Sequence, residues 1–225
     1  MKVLFVLTSH DKLGDTGEKT GFWIEEFAAP YYNLVDKGVD VTVATPKGGK
    51  APIDPNSESE DAQTEDTKRY YKDAETQKVI ENTLKLDTIK AEEFDAVFYP
   101  GGHGPLWDLA EDKTSIALIE AFNRQKKPIG LVCHAPAALK NVKNEKGEPL
   151  VKGKKVTGFT NTEEEAVQLT EVVPFLVEDM LKENGGIYSK SGDWEVYVLE
   201  DGNLITGQNP ASSEKASEKL YEMLK

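Results

Sequence analysis

Three features of this 225-residue sequence predict an α/β fold with a mostly parallel sheet. Residues 2–44 read as strand, helix, strand. Two short, largely apolar runs, 95–99 and 129–132, lead straight into turns, the first glycine-rich and the second carrying the chain's single cysteine. The later segments continue to alternate between strand-like and helix-like patterns with no internal repeat, which favours parallel strands joined by helices.

Taken in order, residues 2–7 (KVLFVL) form a β-rich apolar run and predict a buried strand. Residues 8–21 are a polar, glycine-bearing loop. A helical pattern covers 22–37 and is closed by Gly38; residues 39–44 alternate as a second strand. Residues 46–66 are rich in Pro, Ser, Asp and Glu and read as loop, and the mostly polar helical pattern of 67–84 covers one sheet edge. Together they make an insertion at about 46–90 within a single domain spanning 1–225. A helix is predicted over 115–125 and a helix start at 135–139. The turn-rich NEKGEP leads to a strand at 155–159. Residues 174–182 predict a helix with Pro174 in its first turn and Asn184-Gly185 at its end. Strands at 194–199 and 204–206 flank the hairpin turn Glu200-Asp201-Gly202-Asn203. A final amphipathic helix covers 211–224.

The balance of 27 basic against 40 acidic residues gives a net charge of −13. Such a surface repels phosphate, so nucleic acid and anionic membrane are poor partners. One cysteine cannot form an intrachain disulfide. The apolar start lacks the length and cleavage site of a signal peptide, and no stretch reaches the length of a membrane span. The expected location is the cytoplasm.

The chemistry concentrates in IGLVCHAPAAL, residues 129–139. An apolar strand runs directly into Cys133, and helix-forming residues follow. This places the thiol at the carboxyl end of a strand, where open α/β sheets bind ligands. It also places it at a helix N-terminus, which predicts an exposed and unusually acidic thiol. The alternative is a buried structural cysteine beside a chance histidine. His134 offers a backbone N–H to an oxyanion; its ring meets the sulfur only if the turn is irregular, because helix neighbours do not face each other.

Three further segments frame that elbow. In YPGGHG, Gly101 and Gly102 permit positive φ and expose N–H groups suited to an oxyanion hole, although a Gly-Gly turn is also commonplace. His103 has no role fixed by the sequence. In GFWIEEFAAPYYNL, the helical phase sets Glu26 beside the apolar face of Phe27, Tyr31, Leu34 and Val35, while Glu25 points largely away. Glu26 is either a proton carrier with a raised pKa or simply solvated. In FTNTEEEA, Thr162 as a cap would put Glu165 at the third helical position, completing a capping box and leaving Glu163 or Glu164 free to orient His134.

These pieces resemble the PfpI/Parkinson-disease-protein-7 superfamily, also called class I glutamine amidotransferase-like. Within it they resemble the heat-shock-protein-31-like, glyoxalase-III-type branch. The resemblance rests on KTGFWIEEFAAPY, YPGGHG, VCHAPAAL, GKKVTGFTNTEEE and ITGQNPASS, in family order across nearly the whole chain. It implies a flavodoxin-like three-layer α/β sandwich, a mostly parallel central sheet flanked by helices, usually a homodimer. It implies Cys133 as nucleophile, His134 as its partner, Glu26 as the acid near the sulfur and Glu164 as the triad acid, with Glu163 one register away. Gly101, Gly102 and His103 fall on the substrate and oxyanion side. The branch is associated with conversion of a small reactive aldehyde, methylglyoxal, to D-lactate with no metal, nucleotide or other cofactor. It is also associated with deglycation and holdase activity, although the chain lacks the N-terminal extension of the larger bacterial chaperones. An amidase or peptidase with the same triad, or a non-enzymatic holdase or cysteine redox sensor, are the competing readings.

Overall fold

The computed structural model describes residues 1–225. Its elements, in chain order, begin with β1 (Lys2–Val6), α1 (Ile24–Val35), β2 (Asp40–Thr45), α2 (Glu65–Tyr70), α3 (Ala74–Glu81) and β3 (Leu84–Lys85). β4 (Ala96–Tyr99), α4 (Lys113–Arg124) and β5 (Ile129–Val132) follow, then β6 (Lys155–Val156), α5 (Asn161–Ala166), α6 (Val177–Glu183) and β7 (Ile187–Tyr188). The chain closes with β8 (Val198–Asp201), β9 (Leu204–Gly207) and α7 (Ser213–Met223).

Seven strands form one sheet in the order β3-β2-β1-β4-β5-β9-β8. Every pairing is parallel except the β8–β9 hairpin. Alternation along the central strands sends side chains to two apolar layers. Leu4, Val6, Val97, Tyr99, Ile129 and Leu131 pack with α4 and α6. Val3, Phe5, Ala96, Phe98 and Val132 pack with α1 and α7. Both faces are therefore covered, as a parallel sheet requires, and the result is the expected three-layer, flavodoxin-like sandwich. No helix is long and apolar enough to cross a membrane.

Strand order reverses beside β1: β2 lies on one side and β4 on the other. The crevice at the carboxyl ends of such neighbours is the usual ligand position in open α/β sheets. Into it run the turns after β4 and β5, which carry the Gly-Gly-His and Cys-His pairs.

Several boundaries differ from the sequence expectation. The 67–84 segment is two helices, because Asp73 caps a new one by accepting the N–H groups of Glu75 and Thr76. The same segment supplies β3, paired parallel to β2, so it adds an edge strand as well as covering an edge. The strand expected over 155–159 stops at Val156 and pairs only with β7. Beyond it, Thr157 N–H turns to the Thr206 hydroxyl and Phe159 N–H to the Cys133 carbonyl. Pro174 lies ahead of α6 and not in its first turn, and β8 begins at Val198 where a strand from 194 was expected.

Phe98 is fully buried on central strand β4, against Phe5 at 5.2 Å between ring centroids. Phe98→Ala should lower unfolding free energy by about 3–5 kcal/mol, read as a drop in the denaturant midpoint. A change under about 1 kcal/mol would mean that this layer is not packed as described.

Candidate active site

The chain leaves β5 at Cys133 with φ of 61°, in the left-handed region. A residue with a β-carbon stays there only where its surroundings hold it. Both backbone groups of Cys133 are tied: its N–H donates to the Gly207 carbonyl at 3.0 Å, and its carbonyl accepts from Phe159 N–H at 2.8 Å. His134 follows at φ −88° and ψ −8°. This is the irregular turn that the Cys-His pair needs, and it sets Sγ 3.3 Å from His134 Nδ1.

On the far side of the ring, His134 Nε2 lies 2.5 Å from Glu164 Oε2. Burial would raise the Glu164 carboxyl, but His134 and His103 against it hold it well below the usual carboxylate range. An ionised carboxylate only accepts, so His134 Nε2 carries the proton and Nδ1 presents its lone pair to the thiol. Burial lowers the His134 pKa, His103 lowers it further, and the attraction of Glu164 does not reverse this. The contact is thus a neutral N–H donating to a carboxylate.

The acid that meets the His134 ring is Glu164, but the expected cap lies two residues too late. Thr160 is the cap of α5, and Glu163 completes the box by accepting Thr160 N–H. Glu163 has the structural task once expected of Glu165. Its buried Oε1 accepts from Trp194 N–H at 2.8 Å, Asn209 Nδ2 at 2.9 Å and Gln208 Nε2 at 3.0 Å. One helix position later, Glu164 points to the histidines.

Glu26 is fully buried, on the side that the helical phase indicates. Its Oε2 accepts Gly101 N–H at 2.6 Å. Its Oε1 is buried without a complete hydrogen bond, and the Cys133 thiol is set against the same carboxyl. Burial pushes Glu26 up to about 8. Burial and the neighbouring Glu26 charge push the Cys133 thiol up as well. The exposed, acidic thiol expected from a helix N-terminus is therefore corrected: Cys133 is 3% exposed, and the turn after it is a five-residue 3-10 helix, Ala135–Leu139. Desolvation and a facing carboxylate outweigh what so short a turn supplies. Glu25 also differs from expectation. It is half-buried, accepts the Thr64 hydroxyl, and burial raises it to about 7.

Gly101 and Gly102 are confined by close approach. A β-carbon on Gly101 would come within 2.7 Å of Glu26 Oε2, and one on Gly102 within 2.4 Å of the Gly21 carbonyl. Gly102 also holds φ of 84°. Its N–H faces the thiol, and the His134 N–H has no hydrogen-bond partner. His103 does not join them; its Nε2 is committed to Glu164 Oε1 at 2.6 Å.

His103, His134 and Glu164 bring ligating atoms within 4.8 Å of one another, a trio invisible to sequence spacing because it joins the turns after β4 and β5 to helix α5. Both imidazoles already hydrogen-bond the carboxylate, so the trio is satisfied as it stands. Two aromatic residues also escaped the sequence reading. Phe159 lies 4.1 Å from the His134 ring between centroids, and Trp194, at φ 66°, lies 5.8 Å from Phe159. Phe159 had a visible signal, its place directly before the TNTEEE acids; Trp194 had none.

The sequence profile of the DJ-1/PfpI family matches residues 19–223. The chain belongs to the DJ-1/PfpI family. Among solved DJ-1/PfpI-like structures, the Rapid Encystment Protein 24 KDa of Francisella tularensis superposes with a TM-score of 0.95 at 37% identity, covering 100% of this chain and 99% of that one. Glyoxalase III of Candida albicans gives 0.92 at 28% identity, covering 99% and 96%. The glutathione-independent glyoxalase HSP31 of Saccharomyces cerevisiae is 29% identical, covering 100% of this chain and 98% of its own length.

Two outcomes follow for this DJ-1/PfpI site. Glu26→Gln removes the negative charge beside Cys133, so the inflection of iodoacetamide reactivity should move to lower pH; an unmoved inflection would uncouple the two groups. Glu163→Gln should cost about 1.5–3 kcal/mol in denaturant unfolding, because four donors lose a charged acceptor. No loss of stability would show that Glu163 is not the hub of this corner.

Proposed function

We propose that the chain converts methylglyoxal, and 2-oxoaldehydes like it, to D-lactate without glutathione, using only its own side chains. The observation that carries this reading is the convergence of three groups in one buried site. They are the Cys133 thiol, the His134 base held by Glu164, and a Glu26 carboxyl raised to about 8. Relatives matched over nearly their whole length, in two yeasts, bear glyoxalase names.

The chemistry needs a nucleophile and two well-timed proton transfers. His134 Nδ1 takes the thiol proton as sulfur attacks the aldehyde carbon. The C–S bond forms, the carbonyl π pair moves to oxygen, and the Gly102 and His134 N–H groups receive that oxyanion before it is protonated. Glu26, in its ionised form, removes the proton from the same carbon. The electron pair runs into the neighbouring ketone, whose oxygen takes a proton, giving an enediol. Glu26 then returns its proton to the second carbon while the hydroxyl on the first carbon gives up its proton, replacing the one the ketone oxygen took, and a thioester of the hydroxy acid is left. Water cleaves the C–S bond, releases lactate and restores the thiol.

A carboxyl near pKa 8 suits this work, because a group titrating near the operating pH both accepts and returns a proton. Amide hydrolysis by the same triad has no such use for a second protonatable group against the sulfur. The near-complete burial of Cys133 favours a substrate as small as a three-carbon aldehyde.

Purified protein should form D-lactate from methylglyoxal with no glutathione present, followed by a D-lactate-specific assay. Cys133→Ser should abolish it. Glu26→Gln and His134→Ala should each lower kcat by roughly 10²–10⁴-fold, the range lost with a general acid or base. Glu164→Gln should lower kcat more than it raises KM, since it orients the base. Turnover that survives Glu26→Gln would refute the proton-transfer role.

A further inference from the structure

Glu164 has two carboxylate oxygens, and a different histidine takes each. His134 Nε2 lies 2.5 Å from Oε2, and His103 Nε2 lies 2.6 Å from Oε1. The two rings are 3.9 Å apart between centroids, and all three side chains are buried. We propose that His103 is a positioning residue for this site: it shares Glu164 with His134, so that two imidazoles and one carboxylate hold a single added proton between them and His134 stays a neutral base toward the thiol.

Charge counting in a buried space carries the argument. With both rings neutral, each donates Nε2–H to an ionised carboxylate, and the trio carries one negative charge. One added proton makes it neutral. A second would leave a net positive charge beside a like charge at ring-contact distance, with no further acid in direct hydrogen bond to either ring. The other charged or titratable groups facing His134 do not change the count. Glu163 on α5 is satisfied by its four donors, Glu26 on α1 faces Gly101, and Cys133 faces Nδ1. His103 acts in two ways. It pins Oε1, which fixes the carboxylate plane so that Oε2 meets His134, and it competes for the only compensating charge. In keeping with this, burial and the adjacent His103 both lower the His134 pKa.

This proposal rests on His134 being the base of the site, so its test is read without turnover. The chain has three histidines, few enough to follow each ring by ring-labelled NMR across pH. In the wild-type chain, the His134 ring should take its proton below the ordinary imidazole value of about 6.5, and its curve should be perturbed as His103 titrates. In His103→Gln, the amide still donates to Oε1 but cannot become charged. The His134 midpoint should then rise by about one pH unit, a tenfold gain in proton affinity. The acid limb of kcat/KM with methylglyoxal should rise with it.

Independent wild-type titration of the two rings would overturn the proposal. So would a folded His103→Gln chain with an unmoved His134 midpoint, which is what a merely structural His103 gives. If His103→Gln does not fold, the wild-type curves decide alone. If the midpoint moves but no D-lactate forms from methylglyoxal, the shared carboxylate stands and the functional reading fails.

Discussion

Cys133 is held in a left-handed turn by hydrogen bonds on both sides, from its N–H to Gly207 and from Phe159 to its carbonyl. The contact between the Cys133 sulfur and the His134 ring depends on that turn. A regular helix after β5 would carry the Cys133 and His134 side chains apart. The turn instead sets Sγ and Nδ1 3.3 Å apart, while β9 and the segment after β6 supply the clamps. The fold therefore acts on the site through two backbone hydrogen bonds contributed from distant parts of the chain. Gly101 packs against the same turn and against Glu26, and Gly102 against the 21–23 loop; a side chain at either position would push these neighbours away.

Burial is the second constraint. Glu26, Cys133, His103, His134, Glu163 and Glu164 are all buried in one region. Ionised groups survive there only with partners. Each acid is handled differently. Glu163 is saturated by four donors and holds the corner together. Glu164 is ionised because two imidazoles donate to it. Glu26 has the Cys133 thiol and one backbone N–H, and burial outweighs both, so its proton is held to about 8. Identical side chains thus become a donor-saturated hub, an ionised acceptor of two imidazoles and a carboxyl that keeps its proton. Local donor count decides which.

That division has a consequence for the thiol. A cysteine at a strand-to-helix turn is usually expected to be acidic. Here the turn is short, the sulfur is buried and a carboxyl faces it, so the resting thiol keeps its proton. In the proposed reaction the thiol proton passes to His134 at the moment of attack, a transfer open to a neutral imidazole.

The sequence by itself determined the βαβ opening, the parallel sheet, the cysteine at the end of a strand and Glu26 on the apolar side of its helix. These follow from patterns of period 2 and 3.6, which are local. It left Glu163 and Glu164 as alternatives and misplaced their cap, because either threonine at 160 or 162 begins an acceptable helix. Only the tertiary structure chose, since Thr160 alone leaves Glu163 facing Gln208 and Asn209 and Glu164 facing the histidines. The sequence was also silent on the pairing of His103 with Glu164, which joins residues 61 positions apart. And it misjudged the thiol, because protonation depends on desolvation and on charges brought close in space. Spacing along the chain encodes neither.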